Sequence, residues 1–232
     1  MTVPPDAQLI ADVRAAMRAA GDPERAVAQQ AYMKSAMPFH GIGSPELKAL
    51  LRPFLRAYDP DGRARHEGTV RVLWDEATHR EERYAATALA RHRKAKPWLD
   101  AQALGLYRHL VVTGAWWDHV DEIASHLIGG VLAGHRTDAT PTIRVWASDE
   151  DLWVRRSAVL CQLRHKADTD LDLLRYAIEQ NVEDRSFWLR KAIGWALREY
   201  ARTDPAWVRQ EVDSLGSRMS GLSRREALKH LV

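Results

Sequence analysis

Apolar residues recur at helical spacing along almost the whole chain. In SPELKALLRPFLRAY, Leu47, Leu50, Leu51 and Leu55 fall on one face, behind a start signal of Ser44 as N-cap and Pro45 in the first turn. DPERAVAQQAYMKSAM opens the same way from Asp22 and Pro23. EERYAATALARHR, LWVRRSAVLCQLRH and SFWLRKAIGWALREY are dense in Ala, Leu and Arg, all strong helix formers. No stretch alternates with period two, and no Asn-Gly or Asp-Gly pair separates two apolar runs, so strands are not expected. Gly21, Gly62, Pro97, Gly134, Pro141 and Pro205 fall between the periodic segments as breakers. The pattern predicts an all-α fold.

A repeat lies beneath the helices. Aligning RYAATALA, RRSAVLCQL and RKAIGWAL superposes Arg83, Arg155 and Arg190, which implies a unit of about 36 residues with one copy skipped near His119. Acidic segments (WDEATHREE, WASDEDLW, NVEDRSFW) precede several copies. Helix pairs repeating at this length predict a curved solenoid of HEAT-like repeats, whose concave face forms a binding groove. No linker interrupts the pattern, so residues 1–232 are expected to form one domain.

Composition narrows the class. With 46% hydrophobic and 28% charged residues the 232-residue chain is globular rather than low-complexity, and no run approaches the ~18 apolar residues of a membrane span. The start of the chain lacks a signal-peptide layout, and one cysteine, Cys161, excludes an internal disulfide framework, so a cytoplasmic setting is expected with Cys161 as a small core residue. The net charge of +3 is too small to establish a nucleic-acid partner, yet 34 Lys and Arg gathered on one face would still bind phosphate.

Candidate chemistry is sparse. The ten histidines form no HExxH or comparable pair, so neither a metal site nor a cofactor is expected. The GIG of residues 41–43 lacks the remainder of a phosphate-loop motif and reads as a turn, and no GxSxG elbow occurs. The stretch TGAWWDHVD is different. A helix starting near Ala115 or Trp116 puts Trp117 and Asp121 on one face, four residues apart. Asp118 has a structural role in the first turn, and Trp116 reads as core. Trp117 is open to both readings, because Trp153 follows 36 residues later and Trp188 a further 35, a spacing that also suits repeated packing. Asp121, between Val120 and Ile123, lacks so simple an explanation. In SFWLRKAIGWALREY, Lys191, Trp195 and Arg198 share a helix face that is either a solvated basic stripe or a phosphate-gripping groove with an aromatic floor. Arg156 occupies the equivalent face one repeat earlier, and Gly194 beside Trp195 implies a close neighbour.

Together, YMKSAMPFHGIGSPE, LWDEATHREERYAATAL, TGAWWDHVD, WASDEDLWVRRSA, RKAIGWALREYAR and LSRREALKH, in this order from about Ala31 to Leu231, resemble the AlkD family of DNA alkylation-repair glycosylases. The resemblance implies a HEAT-like DNA glycosylase that hydrolyses the N-glycosidic bond of cationic 7-alkylguanine and 3-alkyladenine in double-stranded DNA, without a base-flipping pocket and without a cofactor. It implies that Asp121, Trp117 and Trp195 line the catalytic cleft. It implies that Arg156 holds the DNA backbone, helped by Arg198, Lys191, Tyr32 and Lys229. Gly43 stands where some relatives carry a side chain able to touch DNA. A monomer acting on nucleoid DNA in the cytoplasm is expected. Two rivals are a non-catalytic relative that binds damaged or branched DNA and a helical scaffold that binds protein; the second is disfavoured by the basic residues Arg156, Lys191, Arg198, Arg224, Arg225 and Lys229.

Overall fold

A computed structural model describes residues 3–231. The chain divides into two compact units, Met1–Trp98 and Leu99–Val232. The division falls after a 3₁₀ segment, Arg93–Trp98, that contains Pro97, so composition shows no linker there. Every regular element among the described residues is helical.

The first unit holds α1 (Ala7–Ala19), α2 (Pro23–Met33), α3 (Ser44–Ala57), α4 (Arg63–Asp75) and α5 (Arg80–Ala90). Asp22 caps α2 by accepting from the Arg25 N–H at 3.0 Å. The start of α3 lies one residue earlier than Ser44 suggested. Gly43 is the cap residue, and its own N–H donates to the Glu46 carboxylate at 2.9 Å. Helix α3 also runs through Pro53, and of its four leucines Leu47 and Leu51 are buried. The GIG turn is held from inside. The N–H groups of His40, Gly41 and Ile42 all donate to buried Glu81, at 2.9, 2.9 and 3.1 Å. Gly41 has φ +85, and a Cβ there would lie 2.0 Å from the Asp22 carbonyl, so only glycine fits.

The second unit holds α6 (Leu104–Gly114), α7 (Trp117–Glu122), α8 (Gly129–Gly134), α9 (Arg136–Trp146), α10 (Leu152–Leu160), α11 (Leu171–Glu179), α12 (Phe187–Tyr200), α13 (Pro205–Leu215) and α14 (Gly221–Ala227). A π-helical segment, Ile123–Ile128, joins α7 to α8 without a break. Pro141, expected between helices, sits inside α9; it removes one bond to the opening turn, and the helix continues past it. Cys161 is fully buried, and burial pushes its thiol up to about 12.

The repeat is visible in the caps. Gly43, His79, Trp116, Asp151, Ser186 and Ser220 precede α3, α5, α7, α10, α12 and α14, at intervals of 36, 37, 35, 35 and 34 residues. Arg83, Arg155 and Arg190 are each the fourth residue after a cap, and the copy placed near His119 is Val120. The repeated arginine is a packing device. Arg83 stacks 5.0 Å over the Trp74 ring, while Arg155 and Arg190 bind the Asp184 carboxylate and carbonyl at 2.8 and 3.0 Å.

Candidate active site

The residues of TGAWWDHVD occupy a tight corner. Ala115 ends α6 in the left-handed region at φ +36, a conformation that costs a non-glycine residue about 1–2 kcal/mol, and Trp116 caps α7 in extended backbone. The two tryptophans part company here. Trp116 packs against Trp153 and Trp188, with ring centroids 6.0 and 5.3 Å away, and those two rings are 5.4 Å apart. The repeated packing position is therefore filled by Trp116, not by Trp117. Trp117, the first residue of α7, is half-buried and stands outside this triad.

Asp121 is the fifth residue after its cap, and Arg156 is the fifth after the cap of α10. Equivalent positions of neighbouring repeats thus face each other. The Arg156 guanidinium donates to both Asp121 oxygens, Nε to Oδ1 at 2.7 Å and Nη2 to Oδ2 at 2.8 Å. Its Nη1 donates to the Trp188 carbonyl at 2.5 Å, and the group lies 5.8 Å from the Trp188 ring. Arg156 is 4% exposed. A fork of two parallel charge-assisted bonds fixes the carboxylate plane. Burial raises the Asp121 carboxyl above its ordinary value of 3.8; Arg156 opposes the shift, and the neighbouring charge of Asp118 adds to it. The resemblance implied that Arg156 grips the DNA backbone. In this structure its guanidinium is committed to Asp121 and to a backbone carbonyl.

The helix changes character one residue past Glu122. π-helical turns are rare and gather at functional sites, because the extra residue re-aims side chains. Within the segment, the Ser125 hydroxyl donates to the Asp121 carbonyl at 2.7 Å, one turn back. Ser125 also lines a cavity of about 750 Å³, together with His126, Arg164, Lys166, Trp195 and Tyr200. Trp195 is the ninth residue after the cap of α12, as Ser125 is after that of α7, so repeat equivalence again places them on one wall. Trp117 and Asp121 are not among the cavity's lining residues. Asp121 adjoins it through Ser125.

The basic residues near the end of the chain converge on one acid. Glu226 in α14 accepts from Lys191 at 2.8 Å and pairs with Arg198. Lys229 also acts on it electrostatically. Three cations around one carboxylate leave a net positive patch, and the Lys191 hydrogen bond leads in lowering the Glu226 pKa below its ordinary 4.5. The close neighbour of Gly194 is this same helix, since a Cβ there would lie 2.5 Å from the Glu226 Cβ and 2.8 Å from the Ser223 carbonyl. Tyr32 belongs to the other unit, where it projects from α2 and is 79% exposed. Arg164 and Lys166 escaped the sequence reading, although they stand in the basic run LRHK.

Two comparisons bear on the identity of this arrangement. The family model described as DNA alkylation repair enzyme matches residues 13–231. A solved structure described as a predicted DNA alkylation repair enzyme, from Enterococcus faecalis, is 31% identical, with a TM-score of 0.80 over 91% of this chain and 97% of its own. No curated protein sequence matches significantly. With nearly its whole length matched, the chain belongs to the DNA alkylation repair enzyme family, all-helical repeat proteins whose substrate is DNA.

Proposed function

We propose that this protein is a monofunctional DNA glycosylase that releases cationic alkylated purines, 7-alkylguanine and 3-alkyladenine, from duplex DNA. The observation that carries this reading is the forked pair of buried Arg156 and largely enclosed Asp121, one helical turn after half-buried Trp117. A carboxylate this enclosed would favour its neutral form if it were alone. The bidentate guanidinium supports the charged form and holds its direction.

Alkylation at N7 or N3 places positive charge on the base, so the base departs readily with the electrons of the C1′–N bond. Positive charge then builds on the sugar. A preorganised carboxylate in a site with little water stabilises that charge most where it develops, with the sign reversed from an oxyanion hole. Indole faces carry negative potential, so Trp117 and Trp195 would flank the deoxyribose. Water adds to C1′ and passes its proton to solvent or to Asp121. With no lysine nucleophile assigned, the product is an abasic site with the strand intact. Phosphate contact falls to Lys191, Arg198, Lys229 and Tyr32, with Arg156 acting as the positioning residue for Asp121. A monomer suffices for this chemistry.

The test is base release from a duplex carrying a single 7-methylguanine, beside the same duplex with an uncharged lesion. Release of the cationic base alone supports the reading. Retained duplex binding with release of neither base would favour a non-catalytic binder of damaged DNA.

A further inference from the structure

We propose that the first unit carries a site for a divalent transition-metal ion, with His40, His79 and Glu82 as its ligands. Chain topology brings the three together. His40 stands in the loop after α2, where Glu81 fastens the backbone through three N–H groups. His79 is the cap residue of α5, and Glu82 lies one turn further along. Their ligand atoms all fall within 4.8 Å of one another. His40 Nε2 is 3.5 Å and His79 Nδ1 3.8 Å from the same oxygen, Oε1 of Glu82.

Burial makes the cluster unusual. Glu82 is 2% exposed and His40 is 8% exposed, and buried His40 Nε2 makes no well-formed hydrogen bond, its 3.5 Å approach to Glu82 being too long for one. A buried polar atom left unpaired forfeits its hydration without replacement, so it calls for a ligand. The two imidazoles lie nearly parallel, with centroids 3.8 Å apart and planes 11° apart, and their nitrogens face one carboxylate.

Two histidines and a carboxylate suit Zn²⁺ or a neighbour in the first transition row. Bonds of roughly 2.0–2.1 Å in a tetrahedron place ligand atoms about 3.3 Å apart, so the separations from Glu82 need to close by less than about 1 Å. His79, with 32% of its side chain exposed, is the member that would turn out of the stack, exchanging its Nδ1 contact with the Thr78 hydroxyl (3.0 Å) for the ion, and its open side admits water as a fourth ligand. The outer partners are in place. Arg14 Nε donates to Oε2 of Glu82 at 2.9 Å, and the Thr78 hydroxyl donates to Oε1 at 3.0 Å, so the carboxylate is oriented before an ion arrives. A bound ion would tie the 35–43 loop to the start of α5. This site is separate from the glycosylase reading and stands or falls without it.

The experiment is calorimetric titration of the tag-free full chain with Zn²⁺, followed by Co²⁺ absorption to report coordination. Wild type is expected to bind one equivalent with the intense visible bands of tetrahedral Co²⁺. It should also melt roughly 5–10 °C higher at a hundredfold excess of free ion over Kd. His79→Ala alters a half-exposed residue and should keep its helical content while losing at least tenfold in affinity. His126→Ala, which removes the competing pair with Glu122 (3.5 Å), should bind as wild type does. Absence of stoichiometric binding, or equal binding by His79→Ala, would overturn the site.

Discussion

Two acidic side chains of the second unit, Asp121 and Glu226, are each held by arginine, and they behave in opposite ways. Asp121 lies with a buried arginine as its forked partner, and burial drives its carboxyl upward. Glu226 is met by partly exposed Lys191 and by Arg198, and its carboxyl is drawn downward. The difference lies in the cations: Arg156 is 5% exposed, whereas Lys191 and Arg198 are 37% and 22% exposed, and the two carboxylates are alike at 13% and 17%. A pair with a buried cation is costly to assemble and more costly to break from one side, whereas a cluster whose cations reach solvent is worth less to stability and stays exchangeable with other anions. The first arrangement suits a charge that must stay in place during a reaction. The second suits a patch that trades its acid for phosphate.

Breaking the buried pair should have the largest effect. Arg156→Ala leaves an enclosed carboxylate without its cation and should cost about 3–5 kcal/mol in denaturant unfolding. A loss below about 1 kcal/mol would show that Asp121 is better solvated than its geometry indicates. Next comes the aromatic floor beneath the pair. Trp153→Phe weakens two ring contacts worth about 0.5–1.5 kcal/mol each, so melting should fall while folded protein keeps its activity. Normal melting with lost activity would move Trp153 from packing to the site.

Acidity sharpens the contrast further, because the two carboxyls have opposite linkage. Below 3.8 Asp121 is protonated folded or unfolded. As pH rises past that value the unfolded chain releases the proton first, so this group removes stability until the raised folded value is passed. Glu226 releases its proton first when folded. It adds stability as pH approaches 4.5, and that gain is lost on acidification below 4.5. Excision that depends on charged Asp121 should therefore fail on acidification while still above 3.8, and an acid limb below 3.8 would count against that role. The smallest effect belongs to Glu226→Gln. Stability should change by less than about 1 kcal/mol, duplex affinity should rise up to about fivefold, and its salt dependence should steepen as freed cations meet phosphate. Unchanged affinity would mean that the patch does not meet DNA.

The sequence carried the fold well because helix caps and apolar spacing are local signals. The interval of about 36 residues, read from Arg83, Arg155 and Arg190, recurs in the caps. Gly194 was legible for the same reason, since a glycine in a strong helix implies a neighbour without room for a methyl group. Side-chain partnership was not local and was harder to read. The spacing of Trp117 to Trp153 suggested shared packing, but the short corner at Ala115 shifts the frame and puts Trp116 there instead. Arg156 read as a phosphate ligand because its partner lies 35 residues away on another repeat. The π segment leaves no composition signature, and the His40–His79–Glu82 cluster forms only when the loop folds back on α5.

The central claim is that Asp121 is a fixed charge serving base release. It is tested most directly by single-turnover excision of 7-methylguanine by wild type and by Asp121→Asn, with duplex affinity measured on the same preparations. Asparagine keeps the shape and removes the charge. The account predicts excision slowed by at least a hundredfold, with affinity within a fewfold of wild type, as for removal of a single preorganised electrostatic group. Equal excision rates in the two proteins would contradict it.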